Sequence, residues 1–322
     1  MRRSTGWTGH WRMADPVALA ALALDATIGW PDAIYRRIGH PVGGFARIIA
    51  VCERGGNREH LPAAARRAFG IGTVGLLLAV AIGAGLGIEA IAARSSAGWI
   101  LVALCAFPGL AQRSLYLHVR PIAAALTAGD LLGARAALGR IVGRDTGGLD
   151  TAGIARAALE SLAESFCDGI VAPLFWLLIG GLPGLWAYKA VNTADSLIGH
   201  REPRWRAFGW AAARTDDLMN LVPARLAAVL LCCAGAGGWR TVRRDAHKHA
   251  SPNAGWPEAA MAGALGLRLA GPVAYDGVTH IKPWIGGGRT AARADDIVRG
   301  LQLYARACAL LWILAGGIAW LR

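Results

Sequence analysis

The segment ESLAESFCD (160–168) runs directly into GIVAPLFWLLIGGLPGLWAY (169–188). No charged residue occurs from Gly169 to Tyr188, a stretch about as long as one bilayer crossing. The acids Glu160, Glu164 and Asp168 stand at i, i+4 and i+8. On a helix they share one face, drifting by about 40° per step. Carboxylates at the edge of an apolar medium are costly unless something cationic meets them. The centre of the apolar segment, GGLPG (180–184), breaks a helix. The segment either crosses once with a kink or forms a re-entrant hairpin of two half-helices. The polar groups on both flanks favour the hairpin, which returns 189–196 to the side the chain left. Irregular backbone at membrane depth is tolerated where protein buries it.

Other runs extend the pattern. Phe69–Ala93 carries only Glu89 as a charge, Gly98–Gln112 carries none, Leu218–Trp239 only Arg225, and Leu301–Leu321 only Arg306. With 55% hydrophobic residues over 322 positions, the chain reads as an all-α, polytopic integral membrane protein. It is expected to have about 4–6 membrane helices, joined by amphipathic interfacial helices. The formal net charge is +13, and the arginines gather between the apolar runs, as at Arg36, Arg37, Arg47, Arg54, Arg58, Arg66 and Arg67. Such loops stay cytoplasmic and also attract anionic substrates. This places the protein in the cell inner membrane with segments 31–67, 119–168, 189–216 and 240–295 facing the cytoplasm. No nucleic-acid motif accompanies the charge, so nucleic acid is not an expected partner. The six cysteines form no CxxC and read as small core residues in a reducing compartment.

Residues 1–13 form a basic extension resembling a signal peptide, but Asp25 interrupts the apolar stretch and no cleavage site follows. The segment is expected to be retained, with Met13 as the initiator; residues 14–322 then form a single membrane domain. The coarse reading is a helix over 14–29, a polar connection over 31–67, and a helical hairpin over 69–93 and 98–118. A short helix follows over 130–142, then a tight loop that lets Asp150 or Thr151 cap the helix bearing the three acids. GGGRT (286–290) reads as a flexible loop.

Four polar clusters interrupt the apolar chain. The first joins Arg144, Asp145 and Asp150 to the three acids. The second places Lys189, Asn192 and Ser196 at i, i+3 and i+7. The third is Arg214, Asp216, Asp217 and Asn220, followed by Arg225; its oxygen ligands share one helix face and suit Mg²⁺ bridging to phosphate. The fourth is His249-Ala-Ser251-Pro-Asn253-Ala-Gly-Trp256-Pro257-Glu258, a rigid turn presenting Asn253 at a helix start with Pro257 at the first helical position. Each also has a structural explanation: a Glu160–Arg156 pair, an acid solvated at the headgroups, acids favoured by the helix dipole, or a capping turn. No GxxxxGK[ST], GxSxG or HExxH occurs.

The blocks GRDTGGLDTAGIARAALESLAESFCDGIVAPLFW (143–176), AYKAVNTADSLIGHREPRWRAFGWAAARTDDLMNLVPARL (187–226) and SPNAGWPEAAMAGALGLRLAGP (251–272) resemble the cobalamin-biosynthesis membrane family CobD or CbiB, the cobinamide-phosphate synthases. LALDATIGWPD (22–32) and GHPVGGFARII (39–49) fit its opening. The likeness covers roughly residues 15–315; the departures are the Trp-bearing extension and a weak match over 276–300. The resemblance implies that a propionate carboxylate of adenosylcobyric acid is joined in amide linkage to (R)-1-amino-2-propanol phosphate or ethanolamine phosphate. ATP and Mg²⁺ are the implied activating partners. Fitted to that chemistry, Glu164 is the expected base, with Glu160 beside it, and Asn192 and Asn253 are oxyanion donors. Arg144, Lys189, Arg214 and Arg225 are phosphate and carboxylate clamps, joined by Ser196, Ser251 and Glu258. Asp168, Asp216, Asp217 and Asn220 are the metal candidates. Association with other corrinoid-pathway membrane enzymes is a further expectation. The rival readings are a corrinoid or small-anion transporter, for which no inverted repeat is found, and a non-catalytic AmpE-like signalling protein.

Overall fold

The computed structural model describes residues 14–143, 145–271, 273–275, 278–280 and 282–321. The expected extension, Met13 and Arg144 lie outside them. Fourteen α-helices are described: α1 Ala14–Thr27, α2 Asp32–Ile38, α3 Pro41–Gly56, α4 Ala63–Ala92, α5 Gly98–Ala106, α6 Gln112–Thr127, α7 Leu131–Leu138, α8 Thr151–Phe166, α9 Ala172–Ile198, α10 Trp210–Met219, α11 Leu221–Ala234, α12 Trp239–Asp245, α13 Gly255–Leu265 and α14 Ala294–Leu321. Among the described residues, strands are confined to two short antiparallel ribbons, Leu269–Ala270 with Trp284–Ile285 and Val273–Tyr275 with Val278–His280. The chain is an all-α membrane protein. Among the described residues four helices are long and apolar enough to cross a bilayer: Ala63–Ala92, Gly98–Thr127, Thr151–Ile198 and Ala294–Ala319. A fifth span counts if α10 and α11 are taken as one. Exposed apolar side chains along α4, such as Leu76, Val80 and Leu86, form a face suited to lipid rather than water.

Contacts cluster into two compact units. Of the described residues, the first holds those up to Ala111, Ala172–Met219 and those from Trp312; the second holds those within 112–171 and 220–311.

In the first unit the apolar segment does fold back. Thr151–Ile198 is one helical run of 48 residues, about 70 Å if straight and far more than a bilayer needs. At Gly181 the backbone leaves the helix, with φ 62° and ψ −156°, a region open essentially to glycine alone. Beyond it, the carbonyl oxygen of Trp176 lies 2.5 Å from where a Cβ on Gly184 would stand. Eight residues along a straight helix would separate those groups by about 12 Å. The legs 172–180 and 182–198 therefore form the hairpin that the sequence favoured.

A hydrogen bond accounts for Glu89, the single charge of the apolar run 69–93. Its Oε1 accepts from the Leu182 N–H at 2.8 Å. This satisfies one of the orphan donors that open the return leg. Because Glu89 stands three residues before the end of α4, the turn reaches the far end of that span. The return leg then runs back along α4: Gly85 packs against the Pro183 backbone and Gly70 against the Phe208 carbonyl, each too close for a side chain. Lys189–Ser196 is thus carried toward the end of α4 that bears Arg66 and Arg67. The region read as a polar connection instead contains α2 and α3. In α3, Phe45 and Ile49 are buried while Arg47 and Arg54 are exposed, the amphipathic pattern of an interfacial helix.

In the second unit α8 is enclosed on most of its surface, with Ile154, Leu159, Leu162 and Phe166 fully buried. The Asp150 side chain caps α8 by accepting from Gly153 N at 2.7 Å. The loop before α8 is tied down, since the Arg135 guanidinium donates twice to the Leu149 carbonyl, at 3.0 and 2.8 Å. Phe166 meets Tyr304 edge-on at 5.8 Å between centroids, and the Tyr304 hydroxyl donates to the Gln112 carbonyl at 2.8 Å.

The glycine-rich segment 286–288 is anchored, contrary to its reading as a flexible loop. Gly286, at φ 105°, donates its N–H to Asp245 Oδ2 at 2.8 Å. Asp245 is fully buried and also receives Arg244 and Lys248, each at 2.7 Å. The Arg244 hydrogen bond, with smaller help from Lys248 and the Gly286 amide, holds the Asp245 carboxyl well below the usual carboxylate range. A depressed carboxylate stabilises the fold above its unfolded pKa and loses that contribution as pH falls through the folded value. Asp245→Asn should therefore cost about 2 kcal/mol at neutral pH. The gap to wild type should narrow as the medium becomes more acidic than the ordinary carboxylate range. Thermal melts in detergent across pH check this; a gap independent of pH would contradict it.

Candidate functional site

The expected site residues divide between the two units, and each group has its own geometry. In the first unit, Asn192 on the return leg donates from Nδ2 to Asp216 Oδ1 on α10 at 3.3 Å. The second and third sequence clusters therefore meet. Asp216 is 8% exposed, and the Asn192 amide is one of its partners within the protein. Asp217, one residue on, faces about 100° away, with Arg214 Nη1 at 3.3 Å. Thr193 and Ser196 donate their hydroxyls back to the carbonyls of Lys189 and Asn192, at 2.6 and 2.9 Å. Ser196 keeps its lone pairs as acceptors, but its proton is committed to its own helix.

Sequence reasoning missed His40, which caps α3 by accepting from Val42 N at 3.2 Å. Burial first, and then the nearby Lys189 charge, lower its pKa, which keeps the imidazole neutral at pH 7. The signal was the His-Pro pair at a helix start.

In the second unit, Cys167–Val171 forms a π-helical turn that contains Asp168. Such turns lose regular hydrogen bonding and concentrate at functional sites. Cys167 Sγ lies 3.8 Å from Asn220 Oδ1, and both residues are buried. Arg225 on α11 donates from Nη1 to Asn253 Oδ1 at 2.5 Å and stacks over the Trp256 ring, 4.4 Å from its centroid. The turn that presents Asn253 is built by nested bonds. Ser251 Oγ accepts from Asn253 N and Ala254 N at 3.2 and 3.3 Å, and His249 Nδ1 accepts from Ser251 N at 3.0 Å. His249 Nε2 stands 3.7 Å from Glu258 Oε1, whose residue is 4% exposed. Gly255 lies so close to the Ala246 carbonyl that no side chain fits there. Pro257 is the third residue of α13, not the first, because the helix begins at Gly255.

The three acids have separate fates. Glu160 Oε1 accepts from Ala270 N at 2.9 Å, anchoring a backbone position held at φ 56°. Its expected partner Arg156 instead donates to the Thr290 carbonyl and stacks on Trp284. Glu164 is exposed on α8, and Asp168 lies in the π turn.

Among the described residues no three His, Cys, Asp or Glu side chains gather closely enough to cage a metal ion. The metal candidates separate into Asp216 and Asp217 in the first unit and Asp168 and Asn220 in the second. Single carboxylates of this kind fit a Mg²⁺ that arrives on phosphate oxygens and keeps its waters, which is the usual habit of that ion.

The buried helices, the folded-back span and the polar clusters define a polytopic membrane protein with preorganised cationic and carboxylate groups. The chain matches the CobD/Cbib protein family over residues 18–304, and it belongs to that family. It is 47% identical over 311 residues to the cobalamin biosynthesis protein CobD of Rhodobacter capsulatus, covering 94% of this chain and 96% of that one. It is 43% identical over 310 residues to the protein of that name from Rhizobium meliloti strain 1021, covering 92% and 94%. With that of Brucella suis biovar 1 it shares 45% identity over 295 residues, covering 88% and 90%. No solved structure matches the chain.

Proposed function

We propose that this chain serves cobalamin biosynthesis as the adenosylcobinamide-phosphate synthase. It would join a propionate carboxylate of adenosylcobyric acid to the amine of (R)-1-amino-2-propanol phosphate or ethanolamine phosphate, using Mg-ATP. The membrane is the inner one and the reacting face cytoplasmic, a reading supported by the arginine-rich segments that lead into α4.

The observation that carries the reading is Arg225. One edge of its guanidinium is fixed by Asn253 and one face by Trp256, so the cation is oriented before any anion arrives. Such a group suits bidentate binding of phosphate or carboxylate. Asn253, fixed through its Oδ1, is the proposed oxyanion donor beside this cation. A carboxylate is a poor electrophile, so its oxygen must first attack a phosphorus of ATP, becoming an acyl phosphate as ADP leaves or an acyl adenylate as pyrophosphate leaves. The neutral amine then attacks the acyl carbon, the phosphate or adenylate leaves, and the ammonium proton passes to a base. Glu164, exposed and carboxylate-bearing, takes the base role, and Lys189, whose charge His40 senses, adds a second anion contact. When bound, Mg²⁺ would neutralise the nucleotide phosphates, with one carboxylate of Asp216 or Asp217 as its protein contact.

The direct test incubates purified protein with adenosylcobyric acid, the amino-alcohol phosphate and Mg-ATP, and follows corrinoid masses. The product mass should appear only when all three are present; its absence would overturn the proposal. Asp217→Asn should lower turnover about tenfold or more and be partly restored by raised Mg²⁺. An unchanged rate and Mg²⁺ dependence would reduce Asp217 to a neighbour of Arg214.

A further inference from the structure

A groove of about 600 Å³ lies between the end of α3 and the start of α4, in the first unit. Its walls are mostly backbone and small side chains, among them Gly55, Gly56, Ala65, Ala68 and Gly72, with Phe69 at one side. The place in the chain sets its depth. Arg66 and Arg67 are the last charges before the uncharged run 68–88, so this end of α4 stands at headgroup level. Phe69, Ile71 and Leu76 just beyond are exposed, as expected of a lipid-facing surface.

The charge at the groove is uncompensated. Arg66 Nε donates to Asn57 Oδ1 at 2.8 Å, and its Nη2 donates to the Arg204 carbonyl. Both acceptors are neutral, so the guanidinium is held in position with its charge unspent. Of the two acids nearest in sequence, Glu59 is exposed and makes no ion pair with Arg66 among the described residues, and Glu53 is bound to Arg204 at 2.7 Å. Arg54 and Arg58 are exposed on the same turn. Beside Arg66, the Asn57 amide nitrogen is enclosed and has no acceptor among the described residues. A preorganised cation and an unspent donor, each next in sequence to a residue that lines the apolar groove (Ala65 and Gly56), match at headgroup depth one chemistry: a phosphate ester carrying a hydrocarbon chain.

We infer that this groove is a binding site for one anionic phospholipid. An acyl chain lies over the glycine and alanine floor, and the phosphate is held at Arg66 beside Asn57. The inference stands on the α3–α4 geometry and is independent of the reaction proposed above.

The test strips purified protein of lipid in detergent and re-equilibrates it with dioleoylphosphatidylglycerol or dioleoylphosphatidylcholine. Native mass spectrometry then reads the bound lipid. One phosphatidylglycerol per chain should be retained and phosphatidylcholine should not. Gly72→Leu fills the groove, and because a Cβ there meets nothing within 4 Å the fold is kept; lipid retention should be lost. Arg66→Gln should weaken retention about fivefold, the worth of one cation near an anionic headgroup. Equal retention of both lipids, or retention unchanged by Gly72→Leu, overturns the inference. Displacement of the lipid by millimolar inorganic phosphate alone also overturns it, in favour of a site for free phosphate.

Discussion

Arg225→Ala should lower kcat/KM for the amino-alcohol phosphate or the corrinoid carboxylate by about 30- to 1000-fold, the range expected when one partner of a desolvated charge pair is removed. Arg225 reaches both Asn253 and the Trp256 ring, so the substitution also strips the Asn253 Oδ1 of its donor. That loss should cost the fold about 1–3 kcal/mol. Circular dichroism and gel filtration separate it from the kinetic effect. Arg225→Lys separates charge from shape. A lysine keeps the cation but loses the planar fork and the stacking, so an intermediate loss of about tenfold is expected. If lysine performs as well as arginine, the group is a general point charge and the oriented clamp is not used. If alanine leaves kcat/KM unchanged while the protein remains folded, Arg225 belongs to the packing of α11 against α13.

The second large effect concerns Gly181. Gly181→Ala forces a Cβ into a backbone region that costs about 1–3 kcal/mol. It also places that carbon 2.4 Å from Glu89 Oε1, the atom that caps Leu182. The carboxylate must move away, and the cap on the return leg weakens by about a further 1 kcal/mol. The apparent melting midpoint should fall by several degrees, about 2–4 °C for each kcal/mol. Gly180→Ala is the control, because a Cβ there meets nothing within 4 Å and its φ is not positive. It should be neutral or slightly stabilising through helix propensity. Equal behaviour of the two variants would mean that the chain does not double back at Gly181.

What could be read from the sequence follows the physical range of each signal. Apolar runs report their environment residue by residue, so the spans were legible from composition, while GGLPG showed only a break and the polar flanks favoured the fold-back over a kinked crossing. The Asp150 cap was legible because a cap and its helix are neighbours in sequence. By contrast, α2 and α3 were hidden inside an arginine-rich stretch, since an interfacial helix alternates polar and apolar groups too loosely to stand out. Asp245 was missed because its structural partner Gly286 lies 41 residues away. Glu160 and Glu164 were correctly set on one helix, but periodicity could not reveal that Asp168 would fall in a π turn or that Glu160 would be spent on the Ala270 amide. Arg225 and Asn253 were both singled out, yet their contact, 28 residues apart, is a property of packing. The four clusters were therefore visible as residues and only partly as a site.

The Glu89 cap also constrains the order of events during synthesis. Its carboxylate belongs to a span that leaves the ribosome early, and the amide it will receive is made 93 residues later. The acid of α4 therefore exists in the chain well before the segment that it caps. When the return leg arrives, it meets a preset acceptor that marks how deep the turn goes. Membrane insertion of this protein is in that sense templated: an early span carries the depth mark for a later one.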